Sequence, residues 1–162
     1  MHAAKHYISL QRAETLRQYI LQKSPETDND LSLGTLLASL RHVQHTNYYP
    51  TFSQQIAYLF YTLTKNPASS DGYMRLALAL TLYFAKLNTQ IDTVRLGLQL
   101  EPIVKATESG FLSQSDIKAF FDTIFDKKPM PEECLLHFAR AFERLHVKEK
   151  DSNTSSQENT FR

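Results

Sequence analysis

The residues best placed for chemistry lie between Asn66 and Arg75 (NPASSDGYMR), just ahead of a long apolar stretch. A Ser-Ser-Asp-Gly turn at a helix start presents backbone N–H groups that have no partner within the helix, so it can receive an anion. Arg75 falls in the first turn of that helix, where a cation is unfavourable unless something negative faces it. Two readings fit: Asp71 neutralises Arg75 in a purely structural pair, or a bound phosphate does so. The other candidates are weaker. Of the six histidines, His42 and His45 are three apart but have no Cys or further His nearby to complete a zinc site. His2 and His6 fall at an N-terminus expected to be mobile, and His137 and His146 on the polar side of the last helix. All six read as surface residues. Lys105 to Asp116 (KATESGFLSQSD) has the outline of a calcium loop, but Lys105 at the first ligand position repels a cation. A turn before a capped helix is the better description. Cys134 follows Glu132 and Glu133, whose charges raise a thiol's pKa rather than activate it. It reads as a buried spectator.

Elements that must carry these residues follow from length and patterning. The chain has 162 residues, 42% of them hydrophobic, with 18 basic and 17 acidic side chains. One domain over 1–146 is expected, with enough residues to bury a continuous core. No run approaches the roughly 20 apolar residues of a membrane span, and Met1 to Lys5 lack the apolar middle of a signal peptide. One cysteine excludes an internal disulfide and points to a reducing compartment. The near-balanced charge argues against a nucleic-acid surface. Few glycines and no tryptophan disfavour turn-rich β architectures, so an all-α bundle is expected.

Leu10, Ala13, Leu16 and Ile20 form one helical stripe across residues 10–22, with Arg17 off it. Lys23 to Asp30 is a polar loop. Leu33, Leu36, Leu37 and Leu40 make a short second helix. Thr51 with Gln54 three residues on is a capping box, opening a helix that carries Phe52, Ile56, Leu59, Phe60 and Leu63 inward. Lys65-Asn66-Pro67 ends it, because the residue before proline avoids helical geometry. From Tyr73 to Leu87 only Arg75, Thr81 and Lys86 are not apolar, which predicts a central helix over 73–88 surrounded by others. Residues 92–106 alternate like a strand at Val94, Leu96, Leu98 and Leu100, yet a lone strand has no partner, so a helix capped by Asp92 is preferred. Ser113 caps a helix bearing Ile117, Phe120, Phe121, Ile124 and Phe125. Pro131 opens the last, with Leu135, Phe138, Ala139, Phe142 and Leu145 inward. Residues 147–162 are polar, and a disordered tail is expected there.

The stretch from Leu33 to Asn88 resembles the heart of the Fic/Doc family, which transfers AMP or phosphate onto protein hydroxyls. That family carries H-P-F-x-D-G-N-(G/K)-R followed by a nearly all-apolar helix ending in leucine–asparagine. Here Leu63-Thr64-Lys65-Asn66, the loop 66–75 and Leu76 to Asn88 (LALALTLYFAKLN) run in the same order. LGTLLASLRHVQ and Tyr48-Tyr49-Pro50-Thr51 are also similar to Doc-type sequences. The resemblance covers about a third of the chain well; residues beyond about 100 match nothing.

Aligned on Asp71, Gly72 and Arg75, Pro67 stands where the family has its catalytic histidine, and proline cannot relay a proton. Ser69 replaces the phenylalanine that anchors the loop, and Tyr73 and Met74 replace phosphate-cradling residues. The resemblance thus implies no catalytic residue, a residual phosphate site of Ser70, Asp71, Gly72 and Arg75, and Asp71 as the magnesium-associated acid. ATP and magnesium are expected only if that loop still functions. The resemblance further implies an antiparallel Fic/Doc-like bundle and a pseudoenzyme that binds a protein partner. His42 to Pro50 would be the partner-binding flap, with Tyr48 and Tyr49 in contact. The alternative is an active or altered ATP-dependent transferase, a toxin or a secreted bacterial effector. Neither nucleic acid nor membrane is expected as partner, and a homo-oligomer stays open. The expected location is the bacterial cytoplasm, with translocation into a host as the variant that the Ser- and Glu-bearing tail suggests.

Overall fold

The computed structural model describes residues 2–22, 30–65 and 71–158, and every regular element among them is a helix. In chain order these are α1 (Leu10–Gln22), α2 (Asp30–His42), α3 (Phe52–Thr64), α4 (Asp71–Asn88), α5 (Thr93–Glu108), α6 (Gln114–Phe125) and α7 (Glu132–Glu158). No helix among the described residues is long and apolar enough to cross a membrane. The polar loop expected after α1 lies outside the described residues except for Asp30, which already belongs to α2.

The capping box that opens α3 is present. Thr51 Oγ1 accepts from the Gln54 N–H at 3.2 Å, and Gln54 Oε1 accepts from the Thr51 N–H at 3.1 Å. All five residues expected inward on α3 are buried, Phe52 to Leu63, at 0–5% exposure. This helix packs against α2, α4, α5 and α6, and is therefore the hub of the bundle. α4 touches α1, α3 and α5 and buries Leu76, Ala77, Leu80, Phe84 and Ala85, but Met74, Leu78 and Leu82 stay half-buried. These half-buried residues, with Tyr83 and Leu87, pack against the core, and among the described side chains of α4 only Arg75 and Lys86 are exposed, as an all-round apolar helix requires.

α5 resolves the strand-like alternation of its sequence. Asp92 caps it by accepting from the Val94 and Arg95 N–H groups at 3.0 and 3.2 Å. Leu96 and Leu100 join Ile103, Val104 and Thr107 on a buried stripe, which leaves Val94 and Leu98 outside. The helix ends in a Schellman arrangement: the Phe111 N–H reaches the Ala106 carbonyl at 2.9 Å and the Gly110 N–H the Thr107 carbonyl at 3.0 Å. Gly110 adopts φ 80°, which costs a residue with a Cβ. Gly110→Ala is expected to lower stability by roughly 1–2 kcal/mol, read as a shift in urea midpoint without a change in slope.

α7 departs from expectation twice. Phe138 and Ala141 make its buried contacts, while Leu135 and Phe142 stand 55% and 39% exposed, so the helix is rotated from the face its larger side chains suggest. It also runs through residues 147–158, where a disordered tail was expected. Side chains return hydrogen bonds to that stretch one turn back, from Ser152 to the Lys148 carbonyl and from Thr154 to the Lys150 carbonyl, both at 3.0 Å. Lys148 Nζ also donates to Ser109 Oγ at 3.1 Å, tying the extension to the end of α5. Residues 159–162 lie outside the described ones.

Candidate functional site

The motif loop falls mostly outside the described residues: Pro67, Ser69 and Ser70 are among 66–70. Asp71 and Gly72 open α4, at the helix start the anion-binding reading requires, although their side chains are not among those described. Arg75 is exposed one turn on and lines a hollow of about 390 Å³ with Met74, Leu78, Glu101, Val104 and Lys105. Among the described residues no group of three or more His, Cys, Asp or Glu side chains is placed to hold a metal ion.

The segment predicted as a flap is a compact turn. The Gln44 N–H donates to the Arg41 carbonyl and the His45 N–H to the His42 carbonyl, at 3.2 and 3.1 Å. The Tyr48 and Tyr49 N–H groups both reach the His45 carbonyl at 3.1 Å. These donors are spent within the turn, so the segment offers side chains rather than an extended edge to a partner. Its side chains form a ring cluster. Tyr49 stacks on Tyr58 of α3 at 4.6 Å between centroids, and His42 lies 5.1 Å from Tyr58 and 5.5 Å from Tyr49. His45 and Tyr48 close the group at 5.6 and 5.8 Å from His42. Tyr49 is half-buried, and Tyr48 stands 70% exposed at the rim. Burial, with Tyr58 and Tyr48 alongside, pushes the Tyr49 phenol above its usual value, so that hydroxyl is kept as a donor. His42 is thus the centre of an aromatic site rather than a plain surface residue. Its spacing to His45 and Tyr49 was visible in sequence; its contact with Tyr58 needs α2 and α3 to pack.

A buried amide holds this turn to the bundle. Gln55 is 0% exposed, and its Nε2 donates to the Val43 carbonyl at 3.1 Å and to Tyr7 Oη at 3.0 Å. Its Oε1 accepts from the Ala4 N–H at 2.6 Å. The N-terminal segment is fixed a second time by Asn88. That side chain accepts from the Lys5 and His6 N–H groups at 3.0 Å each and donates to the His6 carbonyl at 2.8 Å. His6 therefore sits on a tethered segment, not a loose one.

At the opposite end, His137 and Asp116 meet. Asp116 is the third residue of α6, and its Oδ2 accepts from the Ser113 N–H and Oγ at 3.0 Å each, completing a second capping box. Its Oδ1 lies 2.8 Å from His137 Nδ1 on α7. Burial alone would raise this carboxyl, but bonds from the Ser113 backbone, His137 and the Ser113 hydroxyl outweigh it and hold the pKa below the usual value. Burial pushes the neighbouring Cys134 thiol up, and the negative charge of the Asp116 carboxylate adds to this. The thiol is kept protonated and is a poor nucleophile. No local pattern marks the His137 pairing, since it joins two helices across a turn.

Comparison with family models, with curated proteins and with solved structures finds no match for this chain.

Proposed function

We propose that this chain is a catalytically inactive, Fic/Doc-like protein that works by binding another protein through its aromatic turn. The observation that carries the binding surface is the half-exposed ring cluster of His42, His45, Tyr48, Tyr49 and Tyr58. Rings already stacked on one another lose little further freedom on binding, and aromatic anchors dominate the energetics of protein interfaces. The chain order of Leu33–Asn88 supports the family likeness, and Pro67 at the position of the family's base supports inactivity. In this account Arg75 and the start of α4 are remnants of a phosphate site rather than a working one.

A displayed peptide library selected on the whole protein tests the surface. Peptides so enriched are expected to bind Tyr48→Ala about 30-fold more weakly, the loss typical of an aromatic hot spot. Because Tyr48 is 70% exposed, the variant should keep its circular dichroism and urea midpoint. Undiminished binding to a folded Tyr48→Ala would remove the aromatic turn as the contact surface.

A further inference from the structure

A hollow of about 510 Å³ lies between the N-terminal segment and the end of α4, a volume in the range of small-ligand pockets. Hydrogen bonds fix its two walls to each other. Asn88 Oδ1 accepts from the Lys5 and His6 N–H groups at 3.0 Å each, and Asn88 Nδ2 donates to the His6 carbonyl at 2.8 Å. Gln55 holds the same segment one residue earlier, through the Ala4 N–H. Phe52, 2% exposed, and the half-buried Leu87 give the hollow an apolar base. With the backbone anchored on both walls, the side chains that line the hollow start from fixed positions, so less freedom is lost when a ligand enters. The hollow shares no residue with the aromatic turn or with the start of α4.

Its ionisable lining has one sign. His2, Lys5, His6 and Lys86 line the hollow, and among the described residues no Asp or Glu does. None of the four forms an ion pair among the described residues. Lys86 also borders the hollow between α4 and α5 that holds Glu101, without pairing to it. Asp92, two residues past Gln90, lies outside the lining, and its carboxylate caps α5. The carbonyls that end a helix repel an anion, but here two of them are covered. Asn88 Nδ2 donates to that of Phe84 at 3.0 Å, and the Thr89 N–H and hydroxyl both reach that of Ala85, at 2.9 and 2.7 Å. A hollow lined in this way suits an anion. The donors choose its class. Phosphate is met by arginine forks or by the free N–H groups of a helix start. No arginine lines this hollow, the helix ends there rather than starts, and the Lys5 and His6 N–H groups are spent on Asn88. What remains is one ammonium on each wall, Lys5 on the segment and Lys86 on the helix, with ring N–H donors from His2 and His6. Two cations on separate walls match two separate carboxylates better than one compact phosphate. We infer that this hollow binds a small dicarboxylate, one carboxylate at Lys5 and the other at Lys86, with the methylenes between them over Phe52 and Leu87.

The probe is glutarate, titrated at constant ionic strength into the full, isotope-labelled chain and followed by amide chemical shifts. Saturating shifts are expected at Lys5, His6 and Asn88, with a Kd of about 1 mM. Butyrate, which lacks the second carboxylate, and inorganic phosphate are each expected to bind at least about tenfold more weakly. Lys5→Gln and Lys86→Gln, both at exposed positions, are each expected to weaken glutarate about tenfold with the fold intact by circular dichroism. Lys105→Gln, outside the hollow, is the control and should bind glutarate as the wild type does. No saturation, butyrate as tight as glutarate, or wild-type affinity in both lysine variants would overturn the inference. Phosphate binding more tightly than glutarate would replace it with a phosphate site. Tighter binding of a blocked diglutamyl peptide than of glutarate would replace it with a site for an acidic protein segment.

Discussion

Gln55→Leu is expected to cost about 3 kcal/mol and to loosen the N-terminal segment and the aromatic turn together. The side chain is fully buried and satisfies the Ala4 N–H, the Tyr7 hydroxyl and the Val43 carbonyl at once. Leucine fills a similar volume but makes none of these bonds, and each buried polar group left without a partner costs roughly 1–3 kcal/mol. Part of the sum returns through apolar burial, and Ala4 and Tyr7, being half-buried, recover some bonding to water. For a chain of this length the loss lowers Tm by roughly 6–12 °C. Amide exchange should speed up at Ala4 beyond the global loss. Gln55→Glu is expected to fare worse than Gln55→Leu at neutral pH, because a buried carboxylate would face the Val43 carbonyl with no proton to donate. A drop below about 1 kcal/mol for Gln55→Leu, with Ala4 exchange unchanged, would mean that the segment is held elsewhere.

Asp116→Ala is expected to cost about 2–3 kcal/mol, from the lost capping box and the lost charge-assisted bond to His137. The pH dependence has a definite sign. The folded pKa of Asp116 is lowered, so its contribution is fully present above the ordinary aspartate value near 3.9 and disappears as pH falls through the folded one. Wild type should therefore lose stability on acidification more steeply than Asp116→Asn, with the two curves approaching each other at the acid end. Parallel curves over that range would show that Asp116 titrates alike in the folded and unfolded chains.

Capping chemistry made much of this fold legible. Thr51 with Gln54, Asp92, and Ser113 each start a helix where their side chains can bond the first free N–H groups, and Lys65 closes α3 just ahead of Pro67. These are local interactions and need no tertiary knowledge. The orientation of α7 was not legible, because Ala141 outranks Leu135 in burial through the packing of α7 on α5 and α6 rather than through its own hydrophobicity. The same holds for Arg17, which a helical wheel places off the apolar stripe of α1 but which is 3% exposed, with Glu14 Oε1 at 3.0 Å. The all-round apolarity of α4 was legible, and its described apolar residues are all buried or half-buried. Tyr48 and Tyr49 were picked out by type and position. The role of His42 was not, because it depends on Tyr58, sixteen residues on and one helix away. Ser70 and its neighbours lie outside the described residues, so the residual phosphate site remains a matter of sequence alone.

A calorimetric titration of the purified protein with ATP and magnesium, with Arg75→Ala alongside, tests the central claim of a binding protein without nucleotide chemistry. On the proposed Fic/Doc likeness no saturable heat is expected from either protein, since Tyr73 and Met74 would stand in place of the residues that cradle phosphate. Saturable binding by wild type that Arg75→Ala abolishes would contradict the claim, because it would show a working phosphate site at the start of α4.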